Sequence, residues 1–132
     1  MTSRRSFLTS ATAASITLSA LPSFGAEGKK FRTALIGSGW WGMNILREAM
    51  ASGRIQVVAL SDVDETVLSN SVEDVKSETG DEAKGYKDYR EMLAEAKPEI
   101  VIIATPDHWH ALNTIAAVSA GAHVFVDRKS VV

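Results

Sequence analysis

From Phe31 onward the chain alternates short unbroken apolar runs with longer segments whose apolar residues recur every three or four positions. The runs have the pattern of strands buried on both faces of a parallel sheet, and the longer segments that of helices with one apolar face. Thr33–Ile36 reads as a first strand and Trp41–Ala51 as a helix stopped by Ser52-Gly53. Ile55–Leu60 is a second β-branched run. Asp64–Thr79 is helical, with Leu68, Val72 and Val75 on one face and Gly80 at its end. Gly85-Tyr86 marks a short third strand, and Asp88–Ala96 a short helix with Asp88 as N-cap. Pro98 then breaks the chain before Ile100–Ile103, its most apolar strand. A last helix starts at Asp107 or His108, runs to Ala120 and is closed by Gly121, and His123–Val126 is the final strand. This succession predicts an α/β fold: a Rossmann-type doubly wound parallel sheet, ordered 3-2-1-4-5 by right-handed crossovers.

The first 26 residues follow another logic. Ser3-Arg4-Arg5-Ser6-Phe7-Leu8 leads into a weakly apolar stretch, Ala11 to Leu21, rich in Ala, Ser and Thr. Small residues at Ser23 and Gly25, or at Gly25 and Ala26, then offer a cleavage site. A charged start, a short apolar middle and a small-residue end describe a signal peptide. The paired arginines resemble the twin-arginine export motif, which implies passage of a folded, cofactor-loaded protein to the periplasm or beyond. A basic N-terminal arm with no targeting role is the alternative. The expected division is therefore 1–26 signal peptide and 27–132 nucleotide-binding domain.

Composition narrows the chemistry. With 14 Lys and Arg against 16 Asp and Glu, a net charge of −2 gives no footprint for nucleic acid. No run of about 18 apolar residues provides a stable membrane anchor. There is no cysteine, which excludes thiolate catalysis and Cys-based metal sites.

Gly37-Ser38-Gly39-Trp40-Trp41-Gly42 is a G-x-G-x-x-G loop that follows the first strand and opens the first helix. Gly37 allows the tight turn, Gly39 lets the backbone approach a diphosphate, and Gly42 lets helix and strand pack closely. The diphosphate would meet free amides at the positive end of the helix. Asp62, at the end of the second strand, is placed to accept hydrogen bonds from the adenosine ribose. It would repel a 2′-phosphate, and no arginine follows closely, so NAD is favoured over NADP. An ordinary strand–helix turn is the alternative for the glycines. Asp64 reads as a helix cap. Trp40 and Trp41 either shield the cofactor or cover the sheet.

A second polar cluster, Thr105-Pro106-Asp107-His108-Trp109-His110, follows the fourth strand, at the point where open α/β sheets bind ligands. Asp107 or the Thr105 hydroxyl is a candidate cap for the next helix. A metal site is disfavoured, because residues i and i+2 on a helix point about 200° apart and separate His108 from His110. Packing of Trp109 with exposed histidines is the purely structural alternative, and His123 reads as structural.

Taken together, the Gly37–Gly42 loop, Leu60-Ser61-Asp62-Val63-Asp64, Tyr86-Lys87-Asp88-Tyr89-Arg90-Glu91-Met92-Leu93, Thr105-Pro106-Asp107-His108-Trp109-His110-Ala111 and Ala120–Val126 resemble the Gfo/Idh/MocA oxidoreductases. The resemblance implies hydride transfer between NAD(P) and a sugar or polyol, with a second domain supplying substrate contacts and a homo-oligomer interface. It implies cofactor contacts from Gly37, Gly39, Gly42 and Asp62, and places Thr105, Pro106 and His110 beside the nicotinamide. Two departures stand out. Asp127-Arg128-Lys129 replaces the family's Glu-Lys-Pro, so Arg128 occupies the position of the catalytic lysine, and an arginine does not exchange its proton. The catalytic residue is thus not identified. Val132 also comes before the family's last Rossmann strand and second domain, so the domain is expected to be incomplete and to self-associate through an open apolar edge. An NAD-dependent glycosidase of the same fold, or an inactive NAD-binding fragment, are the competing functions.

Overall fold

The computed structural model describes residues 28–127. The signal peptide expected over residues 1–26, and Arg128 with Lys129, lie outside them. Nine elements alternate: β1 (Phe31–Ile36), α1 (Trp40–Ala51), β2 (Ile55–Ser61), α2 (Glu65–Thr79), β3 (Lys84–Tyr86), α3 (Tyr89–Ala96), β4 (Ile100–Ile103), α4 (Asp107–Ser119) and β5 (His123–Val126). The five strands pair in parallel in the order β3-β2-β1-β4-β5, as the apolar pattern predicts.

Side chains alternate between the two faces of the sheet and build two cores. Leu35, Val57, Leu60 and Ile102 pack with Met43 and Leu46 of α1 and Leu68 and Val75 of α2. Ala34, Ile36, Ala59, Val101 and Ile103 pack with Met92 and Leu93 of α3 and Ala117 of α4. The register of β1 on β2 jumps between Thr33 and Ala34, with Thr33 opposite Val57 but Ala34 opposite Ala59. The extra residue, Val58, lets two successive side chains serve the α3–α4 face, as a β-bulge does.

Element ends follow local chemistry. The carboxylates of Asp64 and Asp88 accept amide hydrogen bonds from the first turns of α2 and α3. Helix α3 stops at Lys97, which precedes Pro98 and adopts φ +45°. A proline excludes the helical conformation from the residue before it. Two boundaries move slightly from the expected ones: β1 begins at Phe31, and α1 begins at Trp40 with Gly39 as N-cap.

At the carboxyl edge, the residue after each of β1, β2, β4 and β5 donates to the last residue of a neighbouring strand. Asp62 N donates to Tyr86 O (3.2 Å), Gly37 N to Ser61 O (2.8 Å), Ala104 N to Ile36 O (2.9 Å) and Asp127 N to Ile103 O (3.1 Å). All five strands therefore release their loops at one level, side by side. Among the described residues no helix is long and apolar enough to cross a membrane.

Along the outer face of α4, Trp109, Leu112, Ile115 and Val118 are exposed, as is Phe125 on the edge strand β5. No Asp, Glu, Lys or Arg occurs between His108 and His123 to interrupt this strip. An uncharged apolar surface of this kind marks an interaction face or an aggregation liability. Light scattering at micromolar concentration should find oligomers that Ile115→Lys disperses, and a monodisperse wild-type monomer would refute the expectation.

Candidate dinucleotide site

The glycine loop is held by backbone geometry. Gly37 adopts φ +90°, and a Cβ there would lie 2.9 Å from the carbonyl carbon and oxygen of Ala104, at the end of β4. Gly42, in the first turn of α1, is tighter still: a Cβ would fall 1.9 Å from the Gly37 carbonyl oxygen. Both glycines are thus demanded by the protein's own packing. Gly39 differs, since a Cβ there would meet nothing within 4 Å.

The first backbone bond of α1 runs from the Met43 amide to the Gly39 carbonyl, 3.0 Å. The amides of Trp40, Trp41 and Gly42 precede it, without partners inside the helix, at its positive end. Such an end, beside the open approach at Gly39, fits an anionic diphosphate.

Buried Ser38 anchors the loop. Its amide donates to Asp62 Oδ2 (2.9 Å), and its carbonyl accepts from the Ser71 hydroxyl on α2 (2.8 Å). The second oxygen of Asp62 accepts the Asp64 amide at 2.9 Å. The Asp62 carboxylate is therefore fixed between glycine loop and β2 exit, with lone pairs left over, because a carboxylate accepts about four bonds. Ser38 and Ser71 carry no signal in the sequence, since their partners become neighbours only in the fold.

A cleft of about 250 Å³ opens beside Asp62, lined by residues leaving β1, β2, β3 and β4. Val63, Lys87, Tyr89, Thr105, Pro106 and Trp109 form much of its wall, and Asn113 of α4 contributes from below. That volume suits part of a ligand rather than a whole dinucleotide. Lys87 leans on Glu65 with 3.2 Å between charged atoms, an exposed pair.

The second polar cluster folds differently from expectation. Thr105 and Pro106 share the cleft with Asp62, because the β4 exit is only two strands from the β2 exit. Neither Asp107 nor Thr105 caps α4: the N-cap is Pro106, with no side-chain bond, and the Thr105 hydroxyl donates to Asn113 Oδ1 at 2.7 Å. His110 turns inward, its Nε2 2.6 Å from the Thr105 carbonyl, so this nitrogen carries the proton and donates. Its Nδ1 lies 3.7 Å from Asp107 Oδ1. His108 stays exposed. His110 thus braces the Thr105-Pro106 turn without lining the cleft.

Of the two readings of the tryptophans, packing over the sheet does not hold. Neither covers the sheet; both stand exposed at the start of α1, rings 5.6 Å apart, outside the cleft lining. The Trp41 indole N–H donates to the Asp127 carboxylate beyond β5, which ties the helix start to the edge strand.

Sheet order, glycine loop and the acid after β2 together define a dinucleotide-binding Rossmann domain. Residues 31–128 match the family model of the Gfo/Idh/MocA oxidoreductases, described as an oxidoreductase family with an NAD-binding Rossmann fold. The chain belongs to this family. Among curated proteins it is similar to a glycosyl hydrolase family 109 protein of Stenotrophomonas maltophilia, with 35% identity over 92% of this chain and 28% of that protein. Among solved structures it is similar to the WlbA dehydrogenase of Chromobacterium violaceum, in complex with NADH and UDP-GlcNAcA (TM-score 0.66, 29% identity, 76% of this chain and 28% of that one). A myo-inositol 2-dehydrogenase of Lactobacillus plantarum is comparably similar (TM-score 0.63, 30% identity, 74% and 28%). The chain spans less than a third of these relatives' lengths.

The two inner-facing glycines separate from Gly39 by experiment. Gly42→Ala should lower stability by more than about 3 kcal/mol, because backbone must move. Gly39→Ala should cost no more than about 1 kcal/mol, the scale of an N-cap change. Urea unfolding followed by circular dichroism measures both, and equal losses would contradict the reading.

Proposed function

We propose that this chain is the NAD-binding part of an exported enzyme that moves a hydride between the cofactor and a sugar or polyol. The observation that carries the cofactor assignment is the Asp62 carboxylate fixed to the Ser38 amide, with α1's free amides in the same loop. In this reading the diphosphate meets the amides of Trp40, Trp41 and Gly42, reached past Gly39. Asp62 accepts from the adenosine ribose hydroxyls, and the attached base enters the cleft between Val63 and Trp109. Thr105 and Pro106, braced by His110, bound the ligand where it crosses the β4 exit. The bound nicotinamide supplies the hydride chemistry, and a second domain of the parent protein supplies substrate contacts and the homo-oligomer interface. NAD is preferred over NADP, since Asp62 opposes a 2′-phosphate and Lys87, the cation lining the cleft, leans on Glu65.

Export is supported by the paired arginines Arg4-Arg5 ahead of a weakly apolar stretch. The similarity to the Stenotrophomonas protein, covering 92% of the chain, also extends into the first 27 residues. The destination is the periplasm or the exterior. Arg128, in place of the family lysine, keeps its proton, so the chain alone binds cofactor without turnover.

NADH fluorescence titration tests the assignment. The wild-type chain should bind NADH more tightly than NADPH. Asp62→Ala should weaken NADH roughly ten- to hundredfold, since bonds to a charged acceptor contribute about 1.5–3 kcal/mol. No NADH binding, or an indifferent Asp62→Ala, would overturn it.

The similarity to glycosyl hydrolase family 109 proteins favours a second reading, an NAD-dependent glycosidase that recycles its cofactor within each turnover. The parent protein distinguishes the two. A dehydrogenase accumulates one NADH per sugar oxidised, whereas the glycosidase releases a free sugar with no net NADH.

A further inference from the structure

Asn113 is 1% exposed, yet it lines the cleft. Its Oδ1 accepts the Thr105 hydroxyl. Among the described residues no acceptor partners its Nδ2. No side-chain nitrogen or oxygen described here is both fully buried and without a partner, so Nδ2 reaches the cleft surface. The rest of that wall is largely apolar, made of Ile36, Val63, Ala104, Pro106 and the Trp109 ring. A lone amide donor at the inner end of an apolar slot is costly to leave unpaired once a ligand displaces water. It therefore selects for a flat ligand that carries an acceptor on its edge.

We infer that Asn113 is the residue that reads the base, its Nδ2–H donating to a ring nitrogen of the adenine while its Oδ1 holds Thr105. The inference rests on the NAD reading above and adds a recognition residue to it. Helix α4 supplies the geometry: Asn113 lies about one turn beyond Trp109 and about two turns beyond the N-cap Pro106, and it is buried on the same face as Ala117, with its carboxamide against Thr105 at the β4 exit. Thr105 completes the arrangement by occupying the carbonyl oxygen, which leaves the amino group for the ligand.

ADP-ribose, which carries the base and ribose without nicotinamide, is the probe, titrated calorimetrically against the full chain. Two variants separate base reading from simple support of Thr105. Asn113→Leu removes donor and acceptor together. Asn113→Asp keeps the shape and the bond from Thr105 but replaces the donor with an acceptor. Base reading requires both variants to lose at least about tenfold in ADP-ribose affinity. If Asn113→Asp binds as wild type while Asn113→Leu falls, Asn113 only supports the turn and the inference is wrong. Unchanged affinity in both also defeats it. Failure of the wild-type chain to bind ADP-ribose or NADH would instead defeat the NAD reading, and this inference with it.

Discussion

The structure depends on one close approach: the backbone of Gly42 against the carbonyl oxygen of Gly37, where a Cβ would lie 1.9 Å away. It lets α1 settle directly on the turn that leaves β1, so the helix's free amides come level with the ends of the strands. A side chain at position 42 would lift the helix, and the amides would no longer face the β4 exit. The second contact, Gly37 against Ala104, fixes the turn sideways at the same time. The two contacts convert an ordinary strand–helix connection into an anion-facing surface.

Around that surface the polar groups hold one another in place. Ser71 holds the Ser38 carbonyl, Asp62 holds the Ser38 amide, and His110 and Asn113 hold the two ends of Thr105. Residues from α2, the β2 exit and α4 thereby converge on two short loops. Such a network costs stability when any member is removed, because a buried polar group is left without its partner. It also preorganises the site, so a ligand meets groups already in position.

The same half-site serves more than one chemistry. Relatives bearing this domain carry names of dehydrogenases and of glycosyl hydrolases. A Rossmann domain supplies a held dinucleotide, and what that dinucleotide does is decided by groups brought to its reactive end. This chain spans under a third of the length of the relatives it matches. The apolar strip of α4 and β5 is exposed to solvent.

Periodicity along the sequence determined the order and type of the elements, the parallel sheet and its strand order. Continuous apolar runs can only be strands covered on both faces, and right-handed crossovers leave few ways to connect them. It also determined the glycine loop, the acid at position 62 and the caps at Asp64 and Asp88, since each acts on neighbours within a few residues or at a motif's fixed spacing. Tertiary structure alone decided the rest. The bulge at Val58 and the roles of Ser38 and Ser71 depend on partners brought together from distant positions, while the inward turn of His110, the exposure of Trp40 and Trp41 and the role of Asn113 depend on how α1 and α4 sit against the strand ends. Asn113 makes the point most directly: in the sequence it is one polar residue in an apolar helix, and only its place against Thr105 at the base of the cleft gives it a partner and an open hydrogen-bond donor.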